Sequence, residues 1–96
     1  MLINGKQYEI FKSDEISLKA LCTIQRTHEA LNKGTDKLLQ EEITAEEQSK
    51  TWEKMRRAWR EFILCAIKSP EAEVLELDNI PGLQPLEVRN SFFTLS

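Results

Sequence analysis

Residues 44–68 constrain the fold more than any other part of this chain, because they spell one long amphipathic helix. Trp52, Met55, Trp59, Phe62, Ala66 and Ile67 recur mainly in steps of three and four, which is the spacing of a single helix face. Thr44 is a natural N-cap, and Glu47 three residues later completes a capping box. Ser69-Pro70 closes the far end, since a residue before proline is pushed out of helical angles. A small chain built around such a helix is a packing or binding device unless a catalytic group is found elsewhere in it.

Ninety-six residues suit one small domain, 1–96, with a single core. Hydrophobic residues make up 41% of the chain, enough to build that core. Charged residues reach 30%, so much of the helical surface is expected in water. The net charge of −3 argues against nucleic acid as partner, because phosphate binding needs a positive field. No apolar run has the length of a membrane span, and the opening MLINGKQYEI lacks the basic-then-apolar order of a secretory signal. A cytoplasmic protein is expected. Cys22 and Cys65 lie in helical patterns and read as small buried hydrophobes. A disulfide between them would conflict with that compartment. Two cysteines and one histidine form no zinc pattern, so neither metal nor cofactor is expected.

The whole reads as mainly α: a short N-terminal β-hairpin (1–12) packed on a small bundle of three to five helices. The helical body is 13–69 and short helices fill 70–96. In the hairpin, Asn4-Gly5 is the turn between strand-like Leu2-Ile3 and Tyr8, Ile10 and Phe11. A lone hairpin is marginal in water, so it should lie on a helix or pair with a strand from a partner. Ser13 or Asp14 caps a first helix running to about Asn32, with Leu18, Leu21, Ile24, His28 and Leu31 inward and Gly34 as its stop. His28 reads as a packed or partly exposed side chain, having no neighbour that completes a triad or metal set. Residues 35–43 form a short acidic helix or run into the long one. Pro70 suits the start of a short helix capped by Ser69, although Val74-Leu75-Glu76-Leu77 fits a strand equally well. Residues 78–82 form a turn, and Pro85 begins a last helix carrying Leu86, Val88, Phe92 and Phe93.

Within the long helix, KTWEKMRRAWR (50–60) sets aromatics among five basic residues and one acid. Single-strand binders interleave arginine and aromatic residues in this way, yet Trp52 and Trp59 share one stripe with Met55, which favours packing against a core or a protein partner. Trp52, Met55 and Trp59, flanked by Arg56, Arg57 and Arg60, are the candidate partner-binding residues of this helix. Two acidic blocks stand ready to answer its basic flank: Glu41, Glu42, Glu46 and Glu47 upstream, and Glu71, Glu73, Glu76 and Asp78 downstream. No carboxylate pair sits beside a convincing nucleophile or base, and no phosphate loop, GxSxG or HExxH pattern occurs. An enzyme is not expected. The ending crowds Phe92, Phe93 and Leu95 where a chain end is normally polar and mobile. They either seal the base of the helical core, as a docked C-terminal helix carrying Phe92 would, or wait for a partner; on the second reading all three join the partner-binding candidates, the partner being another protein or a second copy of the chain.

The hairpin INGKQYEI, the charged tryptophan-bearing central helix and the late stretch LQPLEVRNSFF together resemble small tail assembly chaperones of long-tailed bacteriophages. The similarity is spread over most of the chain and carries no invariant motif. It implies a helix-rich protein without cofactors that binds the tape-measure protein, or tail-tube subunits, during tail assembly in the host cytoplasm. It supplies no catalytic residues and no motif-matched binding positions. A small acidic inhibitor of the anti-defence type is one alternative, and a structural adaptor in a virion or bacterial complex is another. The first would need a dominant acidic face from Glu41–Glu47 with Glu71–Asp78; the second would use the hairpin to add strands to a neighbour.

Overall fold

The computed structural model describes residues 1–12, 14–81 and 88. It is mainly helical, with a two-stranded antiparallel hairpin against two long helices and two short 3-10 turns. β1 (Leu2–Ile3) pairs with β2 (Lys6–Gln7) in the register Leu2 to Gln7 and Ile3 to Lys6. Asn4 (φ 52°) and Gly5 (φ 81°) both take positive φ, as a tight primed hairpin turn requires. The second strand lies earlier than Tyr8–Phe11. The reason is that Ile10 leaves the hairpin to bridge Ile67 at the end of the long helix. Phe11 N–H donates to Ala66 C=O (3.0 Å), and Lys68 N–H donates to Glu9 C=O (2.8 Å). The hairpin is thus anchored within its own chain.

α1 spans Leu18–Leu38 and begins three or four residues later than the Ser13 or Asp14 cap would place it. Ser17 is the cap, its hydroxyl accepting from Ala20 N–H at 3.1 Å; Ser13 itself lies outside the described residues. The helix also runs straight through Gly34, which the sequence marks as its stop. Gly34 is buried, and a Cβ there would sit 2.5 Å from Met55 Cγ. Its missing side chain lets two helices approach closely, an advantage that outweighs glycine's poor helix propensity. The buried line is Ile24, Thr27, Leu31 and Gly34, so the inward stripe is rotated from the expected one. Leu18 and Leu21 turn to water, at 76% and 47% exposure. Cys22 is exposed and Cys65 half-buried, and both are free thiols. Only Cys65 approaches the buried role expected of both.

After a turn at 39–43, α2 runs Ala45–Ala66, capped by the Thr44 hydroxyl on Glu47 N–H at 3.2 Å. Arg26 to Glu61 (2.8 Å) and Gly34 against Met55 show the two helices lying antiparallel. Ile67, counted above on the helical stripe, is an extended residue just past the helix end yet only 1% exposed. Ser69 adopts a left-handed conformation (φ 49°) and caps nothing. Residues 72–79 are neither α-helix nor strand. They form two 3-10 turns, Ala72–Leu75 and Leu77–Asn79, that lie on α2. Trp59 and Phe62, both fully buried, centre the core, with Ile3, Ile24, Ile63, Val74 and Val88 around them. Burying either ring contributes about 2–3 kcal/mol. No helix among the described residues is long and apolar enough to cross a membrane.

Candidate functional site

α2 carries the candidate site, and its side chains divide by which way the helix turns them. Met55 (7% exposed) and Trp59 (0%) face inward. Trp59 stacks on Phe62 with centroids 6.2 Å apart, and its indole N–H donates to Val74 C=O at 2.8 Å. Buried indole nitrogens need such a partner, and here the first 3-10 turn supplies it. Trp59 is spent on the domain's own packing, so a partner does not meet it in this conformation, whereas Met55 keeps one edge at the groove between the helices.

Trp52 is half-buried and marks the edge of that core. Its indole N–H donates to Asp78 Oδ1 at 2.8 Å, and Arg56 Nε donates to the same oxygen at 3.0 Å. The Arg56 guanidinium also lies 5.8 Å from the Trp52 ring centroid, within cation–π range. One carboxylate therefore gathers a tryptophan and an arginine one helical turn apart. Hydrogen bonds from Arg56 and then Trp52 hold the Asp78 carboxyl below the usual aspartate range. One turn further along, Arg60 faces Glu76 at 3.6 Å. At the other end of the 3-10 segment, Glu71 pairs with Lys6 of the hairpin. Lys68 is tied to Glu15 at 2.7 Å, which raises the lysine and lowers the carboxyl.

The basic, aromatic segment of α2 thus acts as a seat for the acidic 3-10 segment that follows it. Both tryptophans, seven residues apart, donate into residues 74–78. Of the downstream acids, Glu71, Glu76 and Asp78 are engaged in ion pairs. Upstream, Glu46 pairs with Lys50 on the helix itself (3.2 Å), as Arg57 does with Glu53 (3.2 Å). Exposed pairs of this kind contribute under about 1 kcal/mol each; their effect is to fix where the segment lies.

Of the sequence candidates, the structure brings Trp52, Arg56 and Arg60 together around the 3-10 segment. Arg57 stands apart on the exposed side of α2. Phe92, Phe93 and Leu95 lie outside the described residues. His28 is half-buried, with the Asn32 amide 3.4 Å from its Nε2. Among the described residues no group of His, Cys, Asp and Glu side chains is arranged to hold a metal ion.

The sequence reading missed two surfaces. The outer side of α1 exposes Leu18 and Leu21, and Leu21, Cys22, Gln25, Arg26 and Glu29 line a shallow depression there. The second is a groove between the helices, lined by Lys33, Lys37 and Lys54. A stripe drawn through Ile24, Thr27, Leu31 and Gly34 turns Leu18 and Leu21 outward, whereas the leucine spacing on its own turns them inward. No family model, curated protein or solved structure matches the chain.

Proposed function

We propose that this chain is a non-enzymatic protein-binding module, and that it serves as a tail assembly chaperone holding a tape-measure or tail-tube protein in soluble form. The observation that carries the reading is the Leu18–Leu21 face of α1. Two leucines three residues apart project from one side of a helix. Single exposed leucines are ordinary on protein surfaces, whereas Leu18 one turn from Leu21, which itself lines a shallow depression, suits the apolar anchors of a partner helix. Arg26 and Glu29 at the edge of that depression supply the polar rim such a contact needs. The resemblance of the hairpin and the late LQPLEVRNSFF stretch to tail chaperones names the kind of partner.

Two features weigh against the alternatives. An acidic inhibitor would need its two acidic blocks free to form one face, and Glu71, Glu76 and Asp78 are already held by Lys6, Arg60 and Arg56. A strand-adding adaptor would extend the hairpin through the chain that follows β2, and there the Ile10 segment is paired with Ile67 of its own chain.

Co-expression with the tape-measure protein of the same genome tests the reading. The intact chain should move that protein into the soluble fraction, and a Leu18→Ser/Leu21→Ser variant with an unchanged helical spectrum should not. A tape-measure protein equally soluble with either form, or insoluble with both, refutes the proposal.

A further inference from the structure

Between α1 and α2, on a different face of α2 from Arg56 and Arg60, lies a groove of about 260 Å³. Gly34 and Met55 form its apolar floor, and Lys33, Lys37 and Lys54 stand around it. None of the three sits in an ion pair among the described residues. Seven of the twelve described lysines and arginines sit in ion pairs. Three of the remaining five are these three lysines. In a chain of net charge −3, that gathers three unpaired ammonium groups at one place.

Thr51 adds an independent observation. It lines the groove, is only 6% exposed, and its hydroxyl has no hydrogen-bond partner among the described residues. The threonines within α1 behave differently. Thr23 donates to Lys19 C=O (3.1 Å), Thr27 to Thr23 C=O (2.9 Å) and Thr35 to Leu31 C=O (2.8 Å). Each satisfies its hydroxyl on the preceding turn. Thr51 instead leaves its hydroxyl uncommitted on the groove wall, free to donate to a group that enters beside the three ammonium groups.

We propose that this groove binds a carboxylate-bearing helical segment of a protein partner. Lys33 and Lys37 are one turn apart, about 6 Å along the axis, which matches two acidic side chains spaced i, i+4 on a partner helix. Lys54 reaches the same anions from the opposite wall, and the Thr51 hydroxyl donates to one carboxylate. An apolar side chain between the two acids covers Met55, whose flexible thioether adapts to varied partners. The groove is below the roughly 300–1,000 Å³ of small-molecule sites, so it takes one or two side chains of a larger chain. The inference rests on the protein-binding reading above and adds the chemistry of what is bound.

The test uses two synthetic helical peptides, one with glutamates at i and i+4 around a leucine, the other with glutamines in their place. Titrated into the intact chain, the glutamate peptide should bind about tenfold more tightly, and this preference should shrink at high salt. Lys33→Gln/Lys37→Gln should abolish the preference without altering the weak glutamine-peptide affinity. Thr51→Val should weaken glutamate-peptide binding several-fold while leaving the melting temperature unchanged or raised, which a structural hydroxyl would not do. Equal affinity for the two peptides, or unchanged binding by the lysine variant, overturns the proposal. Displacement of the glutamate peptide by inorganic phosphate at matching concentration overturns it in favour of a general anion site. Self-association of the chain that the lysine variant removes overturns it in favour of a second copy. Capture of the tape-measure protein is measured in parallel. Capture that survives while the peptides fail to discriminate removes the groove alone; discrimination without capture removes the chaperone reading and leaves the groove.

Discussion

Replacing Gly34 by alanine should destabilise this protein, although the same change in most helix interiors does the reverse. On an exposed helix the substitution gains about 1 kcal/mol from propensity alone. Here the added Cβ would lie 2.5 Å from Met55 Cγ and 2.6 Å from Sδ, about 1 Å or more inside the usual 3.5–4.0 Å carbon contact. Those atoms are in the middle of the methionine side chain, so it cannot simply swing its end away. Overpacking of this kind costs about 1–3 kcal/mol, which leaves a net loss of about 1 kcal/mol after the propensity gain. The companion variant Met55→Ala should cost about 2–5 kcal/mol through its cavity. In that background Gly34→Ala should become stabilising by about 1 kcal/mol, because the atoms it met are gone. Urea melts of the four proteins of this cycle give the coupling directly. If Gly34→Ala stabilises by about 1 kcal/mol in both backgrounds, the close helix contact does not govern this position.

Phe62→Ala should cost about 3–5 kcal/mol in the same melts, since the ring is fully buried; a loss under about 1 kcal/mol contradicts its place in the core. Ser17→Ala and Thr44→Ala should each cost about 1 kcal/mol by removing a helix cap, whereas Asp14→Ala should cost nothing measurable. The acid side of the stability profile should depend on Asp78. A carboxylate whose folded pKa is depressed adds stability above its unfolded value, about 3.9, and loses it as pH falls through the folded pKa. The melting temperature should therefore hold from neutral pH to about 5 and drop below about 4, and Asp78→Asn should flatten part of that drop. An identical acid profile in the variant refutes the Arg56–Asp78–Trp52 clamp.

The long helix was legible because its signals agree: a cap at Thr44, an unbroken apolar stripe and a proline beyond its end. The hairpin turn was legible for the same reason, since Asn4-Gly5 accepts two positive φ angles. α1 was harder to phase. Glycine has one strong local meaning, the helix stop, and a second that depends on what lies opposite; only the position of Met55 reveals the second at Gly34. Leucines mislead in the same way. Leu18 and Leu21 look like core by type, and the register through Thr27 and Gly34 places them outside. The site was half legible. That acids downstream would answer the basic flank of α2 follows from composition, but their meeting at Trp52 depends on how residues 72–79 fold back, and their short 3-10 turns carry no periodic signal. The lysine groove was invisible to a linear reading, because its members come from two helices and lie 21 positions apart between Lys33 and Lys54.

Hydrogen–deuterium exchange of the chain, alone and with a soluble tape-measure fragment, tests the central claim most directly. If the Leu18–Leu21 face is the partner surface, exchange should slow across residues 18–25 on binding. The buried stretch 55–62 should keep its protection unchanged, because Trp59 and Phe62 never leave the core. Binding that leaves residues 18–25 unaltered, or that loosens 55–62 to release the tryptophan stripe, would contradict the account.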